Sequence, residues 1–121
     1  VGDGMIFVID DNFEMAECVK LAIEKLGKEV KIFSNGIEAM NEIEQVMPEM
    51  IFLDILLTGP DGFTFLNEIV SYSDTSEIPI VIITALNLTN VDLRNYGVVG
   101  ILNKEIMTPA EVQAYVKRYT K

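Results

Sequence analysis

Five polar residues stand where short apolar runs end. Asp10 and Asp11 follow Met5–Ile9, Asp54 follows Met50–Leu53, Thr84 closes Ile80–Ile83, and Lys104 lies just past Val98–Leu102. Three carboxylates crowded together repel one another and need a counter-charge, which a hard divalent cation with oxygen ligands provides. Mg2+ suits such a set best, because it keeps several waters and is commonly held by one or two carboxylates plus phosphate oxygens. A carboxylate can also attack phosphorus and give an aspartyl-phosphate. The oxygens so introduced need cationic and hydroxyl partners, and Lys104 and Thr84 are of the right types. Ala85, next to Thr84, is small enough to leave room for a phosphoryl group.

For these residues to meet, the apolar runs must be neighbouring strands. Five runs, Met5–Ile9, Val30–Phe33, Met50–Leu53, Ile80–Ile83 and Val98–Leu102, alternate with amphipathic stretches. That alternation is the signal for repeated βα units and a parallel sheet. Several runs are apolar at nearly every position, as in strands covered on both faces. The residues at issue then all lie at carboxyl ends of parallel strands, the edge where doubly wound sheets bind ligands. Between the runs, Asn12 is placed to cap a helix whose stripe is Met15, Val19, Ala22 and Leu26, closed by Gly27. Ile37, Met40, Ile43 and Met47 form a second stripe, closed by Pro48, and Phe63, Leu66 and Val70 a third. The stretch from Thr89 to Asn95, with Asn87 and Asn90 among mediocre helix formers, predicts a stunted fourth helix. Thr108-Pro109-Ala110-Glu111 is a capping box with proline at the first helical position, followed by Val112, Tyr115, Val116 and Tyr119.

The 121 residues have room for one core, and half of them are apolar. A formal charge of −10 with no histidine argues against direct contact with a nucleic-acid backbone. Cys18 is the one cysteine, so an internal disulfide is excluded and a reducing, cytoplasmic setting is expected. Met5–Ile9 is too short for a signal peptide and runs into two aspartates, and no apolar run approaches the roughly 20 residues of a membrane span. A single domain over residues 1–121 is expected, either free-standing or cut from a longer protein.

The pieces Val8-Ile9-Asp10-Asp11-Asn12, Phe52-Leu53-Asp54 with the Asp61-Gly62 turn behind it, Ile82-Ile83-Thr84-Ala85 and Ile101-Leu102-Asn103-Lys104 together resemble the receiver domains of response regulators. The resemblance covers essentially the whole chain; each piece is common alone, and four in order are specific. It implies an α/β, doubly wound, flavodoxin-like three-layer sandwich with a five-stranded parallel sheet in the order 2-1-3-4-5. It implies that Asp10, Asp11, Asp54 and the backbone carbonyl of Leu56 hold Mg2+. Asp54 then accepts a phosphoryl group from a histidine kinase or phosphotransfer protein, and Thr84 and Lys104 contact the phosphate. The partners implied are that kinase and a downstream effector or fused output domain, with no nucleic acid or membrane bound directly. Such a module undergoes one covalent event per cycle and is not a turnover enzyme.

Departures from the pattern carry expectations of their own. The lysine is followed by Glu105 where the family has proline after a cis peptide; a cis bond before Glu costs roughly 2.5–4 kcal/mol, so this loop should turn differently. Ile101 occupies the position of the family's aromatic switch residue, and Thr58 stands where its acceptor loop commonly has proline. Leu56 and Leu86, each two residues beyond a site residue, would border an incoming water and slow hydrolysis of a phosphoryl-aspartate. Plainer readings exist for each residue: an acidic helix cap for Asp10 and Asp11, a loop aspartate for Asp54, a strand-end threonine, a solvated lysine. Asp61 reads as a turn residue. Alternatives for the whole chain are a non-phosphorylated pseudo-receiver acting as an interaction module, an aspartate-nucleophile phosphatase and a flavodoxin-like carrier. The phosphatase lacks its general acid, since Leu56 stands there, and the carrier lacks a phosphate-cradling loop after the first strand.

Overall fold

The computed structural model describes residues 4–56, 62–86, 88 and 92–121. Each apolar run forms a strand: β1 Met5–Ile9, β2 Glu29–Phe33, β3 Met50–Asp54, β4 Ile80–Thr84 and β5 Val98–Asn103. They pair in parallel in the order β2-β1-β3-β4-β5, so β1, β3 and β4 are interior and Asp54 ends β3 between β1 and β4. The helices are α1 Phe13–Glu24, α2 Gly36–Ile43, α3 Gly62–Ser71 and α4 Pro109–Tyr119.

Because side chains alternate across a strand, each central strand feeds two cores. Phe7, Ile9, Ile51, Leu53, Ile80 and Ile82 join Phe65, Leu66 and Ile69 of α3 on one face. Ile6, Val8, Phe52, Val81 and Ile83 meet Ala16, Val19 and Ile23 of α1 and Val112 and Val116 of α4 on the other. This three-layer arrangement accounts for β3 and β4 being buried at every position. The α1–α4 pair is also tied by Gln113, whose Nε2 donates to the Ala22 carbonyl at 3.0 Å.

Helix faces differ in detail from the predicted stripes. In α1 the buried residues are Ala16, Val19, Ala22 and Ile23, with Met15 and Leu26 only half-buried. In α2 they are Gly36, Ala39 and Ile43; Ile37 is exposed, and the helix ends at Ile43 rather than at Pro48. In α3, Phe65, Leu66 and Ile69 are buried, while Phe63 is exposed. Small residues lie where helix backbone comes closest: a Cβ on Gly36 would sit 3.3 Å from the Phe65 ring.

The caps are as predicted. Asn12 Oδ1 accepts from Met15 N at 3.1 Å, and Gly27 closes the turn after α1 with φ of +81°, a conformation that favours glycine. Thr108 and Glu111 form the reciprocal capping box of α4. Between β4 and β5 the described residues hold a three-residue 3-10 turn, Arg94–Tyr96; Asn87, Thr89 and Asn90 lie outside the described residues, as do Thr58 and Asp61. Among the described residues no helix is long and apolar enough to cross a membrane.

Candidate functional site

Four of the five strands deliver a polar residue to the same edge. After β1, the Asp10 amide continues the ladder by donating to the Phe33 carbonyl at 2.9 Å. Its carboxylate turns back and accepts from Asn12 N at 2.9 Å. Asn12 in turn caps α1, so one short turn both starts the helix and aims Asp10 across the sheet edge. Asp54, the last residue of β3, is held in the same way: Oδ1 accepts from Leu56 N at 3.0 Å. Both carboxylates are almost wholly buried, 3% exposed for Asp10 and 4% for Asp54.

The lysine bridges them. Lys104 Nζ lies 2.9 Å from Asp54 Oδ2 and 3.0 Å from Asp10 Oδ2. Asp11 completes the acidic group on the exposed side: ligand atoms of Asp10, Asp11 and Asp54 all lie within 4.8 Å of one another. Thr84, fully buried at the end of β4, accepts from Leu86 N at 3.0 Å through Oγ1. Its carbonyl accepts from Lys104 N at 3.0 Å. The residues predicted to converge, Asp10, Asp11, Asp54, Thr84 and Lys104, therefore do lie along one rim.

One cation shared by several acids shapes the electrostatics. Burial pushes the Asp10 carboxyl above its ordinary value, against the lowering effect of the Asn12 amide and Lys104. Burial also acts to lower the Lys104 ammonium, but the hydrogen bonds to Asp54 and Asp10 outweigh it and hold the group raised and charged. The donor set is all oxygen, clustered and partly buried, which fits a hard divalent cation better than a soft one.

Two contributors were not foreseen. Gly62, read only as part of a turn, opens α3 hard against the end of β3: its amide donates to the Ile55 carbonyl at 3.1 Å. A Cβ there would lie 2.6 Å from Ile55 Cα and 3.0 Å from the Asp54 carbonyl oxygen. Asn103 organises the loop carrying Lys104, with Oδ1 accepting from Glu105 N at 2.8 Å; an Asx residue opening a loop was its sequence signal. As expected, that loop turns without a cis bond, since the described residues contain none. Ile101 sits half-open on β5, and Leu56 and Leu86 stand exposed at the rim, 53% and 43% accessible.

Comparison with known proteins agrees with this geometry. Residues 6–117 match the model of the response regulator receiver domain family. Among curated proteins, the chain is 32% identical over 81 residues to the DNA-binding dual master transcriptional regulator RpaA of Synechocystis, an alignment covering 67% of this chain and 34% of that one. It is 26% identical to the response regulator Rre1 of the same organism, over 93% of this chain and 49% of that one. The chain thus spans less than half the length of these relatives. A crystal structure of a Chloroflexus aurantiacus protein assigned as a response regulator superposes with a TM-score of 0.85 at 27% identity, covering 95% of each chain.

Proposed function

Because the chain belongs to the response regulator receiver domain family, we propose that it is a phospho-accepting switch whose acceptor is Asp54. The observation supporting this most is the pair of buried carboxylates bridged by one ammonium at 2.9 and 3.0 Å, with Asp11 beside them. Asp10, Asp11, Asp54 and the Leu56 carbonyl would hold Mg2+, which when bound supplies positive charge to the phosphoryl oxygens.

The donor is a phosphohistidine on a kinase or phosphotransfer protein. An Asp54 carboxylate oxygen forms the new O–P bond as the P–N bond breaks, and the electron pair leaves with the imidazole nitrogen. Leu56 N and Lys104 Nζ hold the Asp54 carboxylate in one orientation beforehand, so little reorganisation is required. Lys104 then donates to a phosphoryl oxygen, and the Thr84 hydroxyl turns its proton toward another. The reaction is stoichiometric, one transfer per cycle. The added group brings up to about two negative charges and pulls on the ends of β4 and β5, which Thr84 and Lys104 already couple through their backbone bond. The surface over the 3-10 turn, β5 and α4 is where this is read out.

We further take residues 1–121 as one receiver unit working in the cytoplasm, its effector being a separate protein or a fused output domain. With a charge of −10 it leaves DNA contact to that effector. Incubation with acetyl phosphate and Mg2+, followed by intact mass measurement, tests the proposal. Wild type should gain one phosphoryl group and Asp54→Asn none. An unlabelled wild type would leave an interaction module without phosphorylation, and a labelled Asp54→Asn would move the acceptor elsewhere.

A further inference from the structure

The lysine that bridges Asp10 and Asp54 sits on a loop without the proline expected after it, and something else must fix its direction. The backbone amides between β5 and α4 show what does. Lys104 N donates to the Thr84 carbonyl at 3.0 Å, the last rung between β4 and β5. Glu105 N donates to Asn103 Oδ1 at 2.8 Å. Ile106 N and Met107 N both donate to the Asn103 carbonyl, at 3.2 and 2.9 Å. Thr108 N is taken by Glu111 Oε1 at 2.9 Å, inside the capping box.

Every amide from 104 to 108 thus has a partner, and Asn103 satisfies three of the five. The lysine is clamped on both sides: its own N–H is tied to β4, and the peptide that follows is folded back by the Asn103 side chain. An Asx turn of this kind needs only a short side-chain acceptor two residues ahead of the amide it binds. Glutamate at 105 cannot pre-set the backbone as proline does, so the constraint passes to the residue before the lysine.

We propose that Asn103 is the positioning residue for Lys104, holding its ammonium on Asp10 and Asp54 without touching the reacting atoms. The proposal rests on the site read above as phospho-accepting, and its test separates the two. The side-chain acceptor is what matters, so a graded series is expected at this position. Asp, which keeps the acceptor, should behave as Asn; Ser, a weaker turn former, should fall between; Ala should lose the clamp.

Two measurements on the whole chain read the series. The first is the initial rate of phosphoryl uptake from acetyl phosphate with Mg2+, expected to fall about three- to tenfold in Asn103→Ala, the scale of one lost hydrogen bond, and to recover in Asn103→Asp. The second is the 15N–1H signal of the Lys104 ammonium at low temperature. A group held by two carboxylates exchanges its protons slowly enough to be seen, and that signal should weaken in Asn103→Ala and return in Asn103→Asp. Thr108→Ala, which loosens the neighbouring cap and leaves the Asx turn alone, serves as the control and should change neither. The positioning role is overturned if Asn103→Ala keeps both the rate and the signal, or if Asp fails to rescue and Thr108→Ala falls equally. A wild type that takes no phosphoryl group but shows the graded ammonium signal would remove the phospho-acceptor reading and leave the positioning role standing.

Discussion

Replacing Gly62 by alanine should push the start of α3 off the end of β3, and the distances set the size of the effect. An added Cβ would lie 2.6 Å from Ile55 Cα, 2.9 Å from the Ile55 oxygen and 3.0 Å from the Asp54 oxygen, all backbone atoms. The closest is about 0.8 Å short of the 3.4 Å at which ordinary contact begins, and backbone yields far less readily than a side-chain tip. Moving α3 away by that amount would stretch the 3.1 Å bond from Gly62 N to the Ile55 carbonyl beyond hydrogen-bonding range. Overpacking of this kind costs about 1–3 kcal/mol and the lost bond about 1 kcal/mol. Against these stands a gain of about 0.4–1 kcal/mol from the stiffer unfolded chain. The clash wins, leaving about 1–3 kcal/mol of net destabilisation, or roughly 4–12 °C in Tm for a domain of this size. Urea titration with an unchanged slope, alongside thermal melts, measures it. An alanine variant as stable as wild type would show that α3 does not press on the strand end as described.

Two further outcomes follow from the site. Burial raises the Asp10 carboxyl above the ordinary carboxylate value, so the folded state binds its proton more tightly than the unfolded state. Its contribution to stability is therefore full at low pH and declines as pH rises above that value. In urea melts between pH 4 and 7 without divalent cations, the stability of wild type relative to Asp10→Asn should fall with rising pH; a rise would reverse the assigned sign. With Leu56 and Leu86 exposed two residues beyond Asp54 and Thr84, the phosphoryl-aspartate of the proposed reading should outlast minutes at neutral pH with Mg2+, and alanine at either position should shorten its life severalfold. Loss of the label from wild type within seconds would remove these leucines as water barriers.

The sheet was legible because it is encoded twice: in runs such as Ile80–Thr84 that are apolar at every position but the last, and in the polar residue that ends each run. The runs are bounded by polar or turn residues, and the strands lie within one residue of expectation. Helix faces were less legible. Periodicity locates a stripe but does not say whether large or small residues face the sheet, and α2 and α3 turn Gly36, Ala39 and Gly62 inward while Ile37 and Phe63 face out. Gly62 and Asn103 escaped notice for a related reason. Each acts through backbone, one by lacking a Cβ where two stretches of backbone nearly touch and the other by folding back an amide. Neither action leaves a trace in the spacing of charged residues.

The charges at the rim explain why so small a covalent change can act as a switch on the proposed reading. Asp10, Asp11 and Asp54 against Lys104 leave a net charge of −2 when all are ionised. The single ammonium is divided almost equally between Asp10 and Asp54 and fully satisfies neither. A divalent cation brings that sum to zero, and a phosphoryl group on Asp54, replacing one negative charge by about two, returns it to about −1. With the cation in place the covalent step changes the net charge by only about one, and what it changes besides is the location of that charge. On the proposed reading the new oxygens would draw Lys104, now shared between Asp10 and Asp54, toward the phosphoryl group. The lysine's amide is bonded to the Thr84 carbonyl and its loop is folded on Asn103, so on the proposed reading a movement of the ammonium would be passed into the ends of β4 and β5 together. A lysine on a slack loop would follow the phosphate alone and carry nothing with it.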